Sequence, residues 1–167
     1  GFAGWRERPI AIVGCGGLGV PAAWTLAHAG ARRLRLIDDD QVELSNLHRQ
    51  VLYTEADVRA NKADRLAAAL IARFPGLEVD ARSQRLHPPL DSDTPADALL
   101  TGCVAVVEGS DDAVCKFEVN DRIVDAWRQP AGPAIGVIAA AVARRGQWMV
   151  VSPEGACYRC LFEAPPP

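Results

Sequence analysis

Along this chain the spacing of apolar residues changes several times, and each change marks an element. Residues 10–13, Ile-Ala-Ile-Val, are a short, wholly apolar run directly before glycines, the pattern of a parallel strand covered on both faces. From 18 to 29 the apolar spacing turns helical, and Gly30 stands where a left-handed helix cap is wanted. Residues 34–37 read as a second strand that ends at Asp38-Asp39-Asp40. Strand, glycine turn, helix, strand and acid together make a βαβ unit.

The alternation continues. A helix rich in Ala and Leu is predicted over 61–74, stopped by Pro75-Gly76. Residues 78–82 follow as a strand, and 87–94, with Pro88, Pro89 and Pro95 nearby, read as a surface connection. After a short helical piece at 96–100, residues 104–107 form a buried strand that ends in Glu108-Gly109-Ser110-Asp111-Asp112. Acids at the carboxyl end of a strand fall where open α/β sheets place ligands. Phe117, Val119, Ile123, Val124 and Trp127 mostly share one helical face, and Pro130 follows. A fifth strand is expected at 134–138, then a hairpin of 140–144 and 147–151 joined at Arg145-Gly146. The predicted fold is α/β: a Rossmann-like three-layer arrangement with a mostly parallel central sheet and a C-terminal antiparallel hairpin. Residues 1–164 make one domain and the prolines at 165–167 begin a linker, so the chain reads as a piece of something longer.

Composition narrows the function classes. With 49% hydrophobic and 23% charged residues the chain can build a real core. The net charge is −3 with both signs interspersed, which offers no basic field for nucleic acid or an anionic membrane. The longest apolar runs, such as 134–143, fall short of the roughly 20 residues a membrane-spanning helix needs. No charged-then-apolar leader opens the sequence, so a cytoplasmic address is expected. Five cysteines at irregular spacing argue for reduced thiols.

The candidate chemistry begins at Gly14-Cys15-Gly16-Gly17-Leu18-Gly19. Gly14, Gly16 and Gly19 satisfy the dinucleotide-type pattern: one permits the tight turn, one lets phosphate approach backbone amides, and one lets helix meet strand. The motif serves NAD, FAD and ATP alike. Asp38 stands where a carboxylate accepts from ribose hydroxyls; Asp39 reads as a solvated loop acid, and Asp40 as that or as the partner of a cation. Asn46, Arg49 and Gln50 follow, and Lys62 heads the next helix. Fixed cations of this kind stabilise phosphoryl transition states, whereas hydride transfer needs none. Asp111, with Asp112 beside it, is a candidate Mg²⁺ ligand, and Ser110 and Asp112 also suit a helix cap. Cys157-Tyr158-Arg159-Cys160 is either half of a tetrahedral zinc site or two surface thiols. Cys15, Cys103 and Cys115 read as structural, and His28, His48 and His87 have no metal spacing.

The glycine loop, Asp38 to Asp40, Ser45-Asn46-Leu47-His48-Arg49-Gln50, Asn61-Lys62, Ser110-Asp111 and Cys157 to Cys160 together resemble the E1-like superfamily, the ThiF, MoeB and HesA group of ubiquitin-like-protein activating enzymes. The resemblance spans nearly the whole chain. It implies ATP-dependent adenylation of the C-terminal glycine carboxylate of a small ubiquitin-like or sulfur-carrier protein, with Mg²⁺ as cofactor and a homodimer as the working form. It also implies residue roles: Gly14, Gly16, Gly17 and Gly19 hold nucleotide, Asp38 binds ribose, the segment from Ser45 through Asn46 to Arg49 and Lys62 contact phosphates, and Asp111 serves Mg²⁺ and catalysis. Zinc at Cys157 and Cys160 would need a second cysteine pair from farther along. The chain departs from the family in carrying Glu108-Gly-Ser-Asp-Asp112 for Asp-Cys-Thr-Asp-Asn, and Lys116 for an arginine. Two other readings stand beside it: an NAD-dependent oxidoreductase, supported by the glycine loop and Asp38 alone, and a noncatalytic E1-like scaffold. Nucleotide choice separates the first, and pyrophosphate exchange the second.

Overall fold

The computed structural model describes residues 4–86, 99–127, 133, 135–142 and 145–162. Strand β1 (Ile10–Val13) is buried at all four positions because it lies between β2 (Arg33–Ile37) and β4 (Ala105–Glu108), parallel to both. Strand β3 (Glu78–Arg82) extends the sheet beyond β2. On the other side come β5 (Gly136–Val142), parallel to β4, and the antiparallel β6 (Arg145–Val151), giving the order β3-β2-β1-β4-β5-β6.

Side chains of β1 alternate between two cores, as strand geometry requires. Ile10 and Ile12 join Leu34 and Leu36 under α1 (Gly19–His28) and α2 (Lys62–Arg73). Ala11 and Val13 join Val106 and Ile138 under α3 (Ala113–Ala126), which contributes Val119 and Ile123. Helices on both faces of a five-stranded parallel block make the expected three layers, and α4 (Tyr158–Leu161) packs against α3 through the edge-on contact of Tyr158 with Phe117. Asn61 caps α2 by accepting from the Asp64 N–H at 3.2 Å, and Asp112 caps α3 by accepting from the N–H groups of Val114 and Cys115.

Two expectations need correction. The stretch expected as a fifth strand plus one hairpin arm is a single strand, β5, and its partner begins at Arg145, paired with Val142. Residues 137–142, Val-Ile-Ala-Ala-Ala-Val, carry no polar break that could have signalled where pairing starts or turns. Helix α3 also begins four residues earlier than its apolar stripe, because Asp112 supplies the cap that starts it. The connection expected at 87–94, residues 96–98 of the helical piece, Pro130, Ala134, residues 143–144 and the prolines at 165–167 lie outside the described residues; Leu99 and Leu100 are helical and buried. No helix among the described residues is long and apolar enough to cross a membrane.

Candidate functional site

The glycine loop is built by two close approaches. Gly14 adopts φ +84°, and a Cβ there would lie 2.7 Å from the Ser110 amide nitrogen. A Cβ on Gly19 would lie 1.8 Å from the Gly14 carbonyl oxygen. Both positions therefore require glycine, one for conformation and one to let α1 meet the loop. The loop is then tied down by Asp38, whose carboxylate accepts from the Cys15 N–H at 2.6 Å and the Asp40 N–H at 2.8 Å. Burial pushes the Asp38 pKa up, against these two amide donors. The Tyr53 hydroxyl reaches the carbonyls of Cys15 (2.8 Å) and Lys62 (3.1 Å), joining the loop to the head of α2.

A cleft of about 800 Å³ opens at the carboxyl ends of the parallel strands, where open α/β sheets bind ligands. Gly14, Gly16, Gly17, Asp38, Asp40, Arg49, Lys62, Asp111 and Asp112 all line it. Three other sequence-predicted residues do not. Gly19 is buried against Gly14, the exposed Ser45 donates to Glu43 at 3.0 Å, and the buried Asn46 accepts from Arg49 Nη2 at 2.8 Å. Asn46 thus orients Arg49, whose stem lies over Gly17, 3.6 Å from where a Cβ would sit. Cys157 and Cys160 stand apart from the cleft, with sulfurs 3.4 Å apart.

Charge pairing sorts the lining residues. Lys62, 7% exposed, donates to Asp40 at 2.9 Å; Arg85 pairs with Asp39 at 3.1 Å; Asp38 is held by backbone amides; Asp112 caps α3. Among the described residues this leaves Asp111 as the acid of the cleft with no side-chain partner, and Arg49 as the cation bound only to neutral acceptors. At the start of α1 the Val20 N–H already donates to the Gly16 carbonyl and Pro21 has no N–H, so among the described residues the amides without a partner beside the cleft are those of Gly16, Gly17 and Leu18, in the loop that leads into the helix.

Gln50 belongs to the polar segment already singled out, whereas Gln84, Arg85, Leu86 and the ion pair of Glu108 with Lys116 were given no role by the sequence pattern. Gln50 is 2% exposed, lines the cleft beside Gly16, and its Oε1 finds no partner among the described residues. Gln84, Arg85 and Leu86 reach the cleft from just beyond β3. Glu108, fully buried, pairs with the buried Lys116 at 2.6 Å, and burial pushes its pKa up against the lowering effect of that ammonium. A signal existed for this pair: Lys116 sits on the same helical stripe as Val119 and Ile123, and a lysine there needs a buried partner. Cys115 also lines the cleft, but burial and the nearby Glu108 push its thiol to about 12, which leaves it protonated and inert.

The donor sets can be tested against the implied ions. Mg²⁺ takes one or two carboxylates plus phosphate oxygens, and the unpartnered Asp111 fits that. The acids at 38–40 lie close enough to share an ion, but each already serves a protein donor. Zinc needs four ligands, and the described residues bring two thiols together, with Cys157 lowered in pKa, against its burial, by hydrogen bonds from Cys160.

A doubly covered parallel sheet with an antiparallel last strand, and a glycine loop feeding a helix, define an E1-like α/β domain. The chain belongs to the ThiF family, which it matches over residues 1–167. It is similar to "Adenylyltransferase and sulfurtransferase MOCS3" of Mus musculus, 40% identical over 159 residues, covering 95% of this chain and 32% of the relative. The Anopheles gambiae protein of the same name is 38% identical over 163 residues, 97% of this chain and 34% of the relative. Among solved structures, E. coli MccB with AMPCPP and selenomethionine MccA matches at TM-score 0.78 and 26% identity, over 96% of this chain and 46% of that one. The chain therefore spans about a third of the first curated relatives and under half of MccB.

Proposed function

We propose that this domain binds ATP in the cleft and adenylates the C-terminal glycine carboxylate of a small ubiquitin-like or sulfur-carrier protein. The observation that carries the reading is the pair left over after the other charges of the cleft are matched: Arg49 over Gly17 of the glycine loop, and Asp111 on the opposite loop. An NAD site needs the glycine loop and Asp38 but gives neither an unpaired arginine nor a free acid anything to do. Similarity to proteins named adenylyltransferase and sulfurtransferase, and to MccB solved with AMPCPP and MccA, supports the same choice.

In this reaction a carboxylate oxygen attacks the α-phosphorus, a carbon–oxygen–phosphorus link forms, and the bond to the β-phosphate oxygen breaks to release pyrophosphate. The nucleophile is already ionised at neutral pH, so no general base is required. The work of the chain is placement and charge. The amides of the glycine loop, from Gly16 to Leu18, hold phosphate oxygens, Asp38 receives the ribose, and Arg49 and Lys62 balance charge that builds on the phosphates. Gln50 offers its amide to the same space. Asp111, with Asp112 next to it, would hold Mg²⁺, which neutralises phosphate charge when bound. Cys157 and Cys160 would hold zinc together with a second pair of ligands. A second copy of the chain is the expected partner besides the carrier, and the compartment expected is the cytoplasm. Calorimetry tests the nucleotide: Mg-ATP should bind and NADH should not. Binding of NADH without Mg-ATP would overturn the reading.

A further inference from the structure

Strand β4 is apolar through Val107 and then ends on Glu108, a carboxylate with no solvent exposure. Lys116, 5% exposed, stands in the first turn of α3. Removing two charges from water costs several kcal/mol per ion before their attraction counts. Such a pair is a weak device for stability, which directs attention to what it holds in place.

Every proton of the ammonium is engaged. Lys116 Nζ donates to Glu108 Oε2 at 2.6 Å, to the Ser110 carbonyl at 2.6 Å and to the Ala139 carbonyl at 3.0 Å. The other Glu108 oxygen accepts from the Ser110 N–H at 2.9 Å and from the Ser110 hydroxyl. Ser110 is gripped at its N–H, its hydroxyl and its carbonyl by one ion pair. Lys116 keeps no donor for a phosphate, although it lines the cleft. Two residues on, Asp112 is pinned as the cap of α3. Asp111 is the one residue between these two anchors, and its carboxylate has no partner among the described residues.

We propose that Lys116, acting with Glu108, is a positioning residue. Through Ser110 it fixes where the Asp111 carboxylate stands, and through Ala139 it ties that loop to β5, whose Ala140 and Ala141 form the facing wall. The assignment rests on the function proposed above, because the task given to Asp111 comes from that reading.

The test uses the full-length chain with Lys116→Met, Lys116→Arg and the double variant Glu108→Gln/Lys116→Met, which carries the test should the single Met variant, with Glu108 left unpaired, fail to fold. The first readout is calorimetric affinity for AMPCPP with and without MgCl2. In wild type MgCl2 tightens binding; in the Met variants that tightening falls about tenfold, the size of one lost charge-assisted hydrogen bond, while metal-free affinity holds and Lys116→Arg restores the tightening. A purely structural role would lower the melting temperature and leave the tightening intact, which overturns the proposal. The second readout is amide exchange at Ser110, expected to quicken about tenfold in the Met variants for the same reason. Wild-type protein that binds AMPCPP in neither condition overturns the nucleotide reading alone, and the Ser110 amide then decides: unchanged exchange overturns the positioning claim.

Discussion

Replacing Lys62 with methionine separates the fold from the chemistry. The substitution keeps most of the buried stem and removes the charge. The partner it abandons, Asp40, has a side chain 61% exposed, so the acid returns to water, and a pair open on the side of its acid contributes about 1 kcal/mol at most. Relief from burying an ammonium whose side chain is 9% exposed works in the opposite direction. Stability should therefore move by under about 1 kcal/mol, or about 2–4 °C in a chain of this size. Function should move far more. If Lys62 stabilises phosphate charge in the transition state, its loss costs about 10²–10³ in rate, as for the removal of one preorganised donor. Thermal unfolding and carrier-dependent ATP–pyrophosphate exchange at saturating ATP measure the two effects. An exchange rate within about threefold of wild type would refute the role, because it leaves under about 1 kcal/mol of transition-state stabilisation to assign.

Gly19→Ala should destabilise by at least about 3 kcal/mol, the upper end of overpacking costs, because its Cβ would stand 1.8 Å from a backbone oxygen that cannot swing away; denaturant unfolding reads this directly. Asp111→Asn should leave stability within about 0.5 kcal/mol, as for an exposed residue without partners, and should abolish the Mg²⁺-dependent gain in AMPCPP affinity measured by calorimetry. In chelator-treated protein, alkylation of Cys157 followed by mass spectrometry should show a pH midpoint below that of the same cysteine in the unfolded chain, since its pKa is lowered. Cys115, pushed to about 12, should stay unmodified at pH 8 in the same samples; its modification there would show that the burial around Glu108 is wrong.

Much of this arrangement was legible because it is local. The run 10–13, the glycine loop and Asp38 follow one another within thirty residues, and the strand and helix periods are strong enough to order them. Asp112 could be recognised as a cap type from position alone, whereas Asn61, expected as the first residue of its helix, is the cap before it. The pairings that sort the cleft were not legible, since they join residues far apart in sequence: Asp39 with Arg85, Asp40 with Lys62, Lys116 with Ala139. Asp39 read as a solvated loop acid, and Asp40 as that or the partner of a cation; in the fold each of the three adjacent acids turns to a different donor. Likewise, alanines 139–141 hide the start and turn of the last hairpin because their side chains distinguish neither face of the sheet. The grip of Glu108 and Lys116 on Ser110 depends on α3 crossing back over β4, which no spacing rule supplies.

The most direct test of adenylation is ATP–pyrophosphate exchange by the full-length protein with a small ubiquitin-like carrier ending in glycine, beside the same carrier lacking that residue. Exchange that requires Mg²⁺ and the terminal glycine, and is lost in Arg49→Ala, is the predicted result. Tight Mg-ATP binding with no exchange by any such carrier would contradict the account and leave the chain a noncatalytic scaffold.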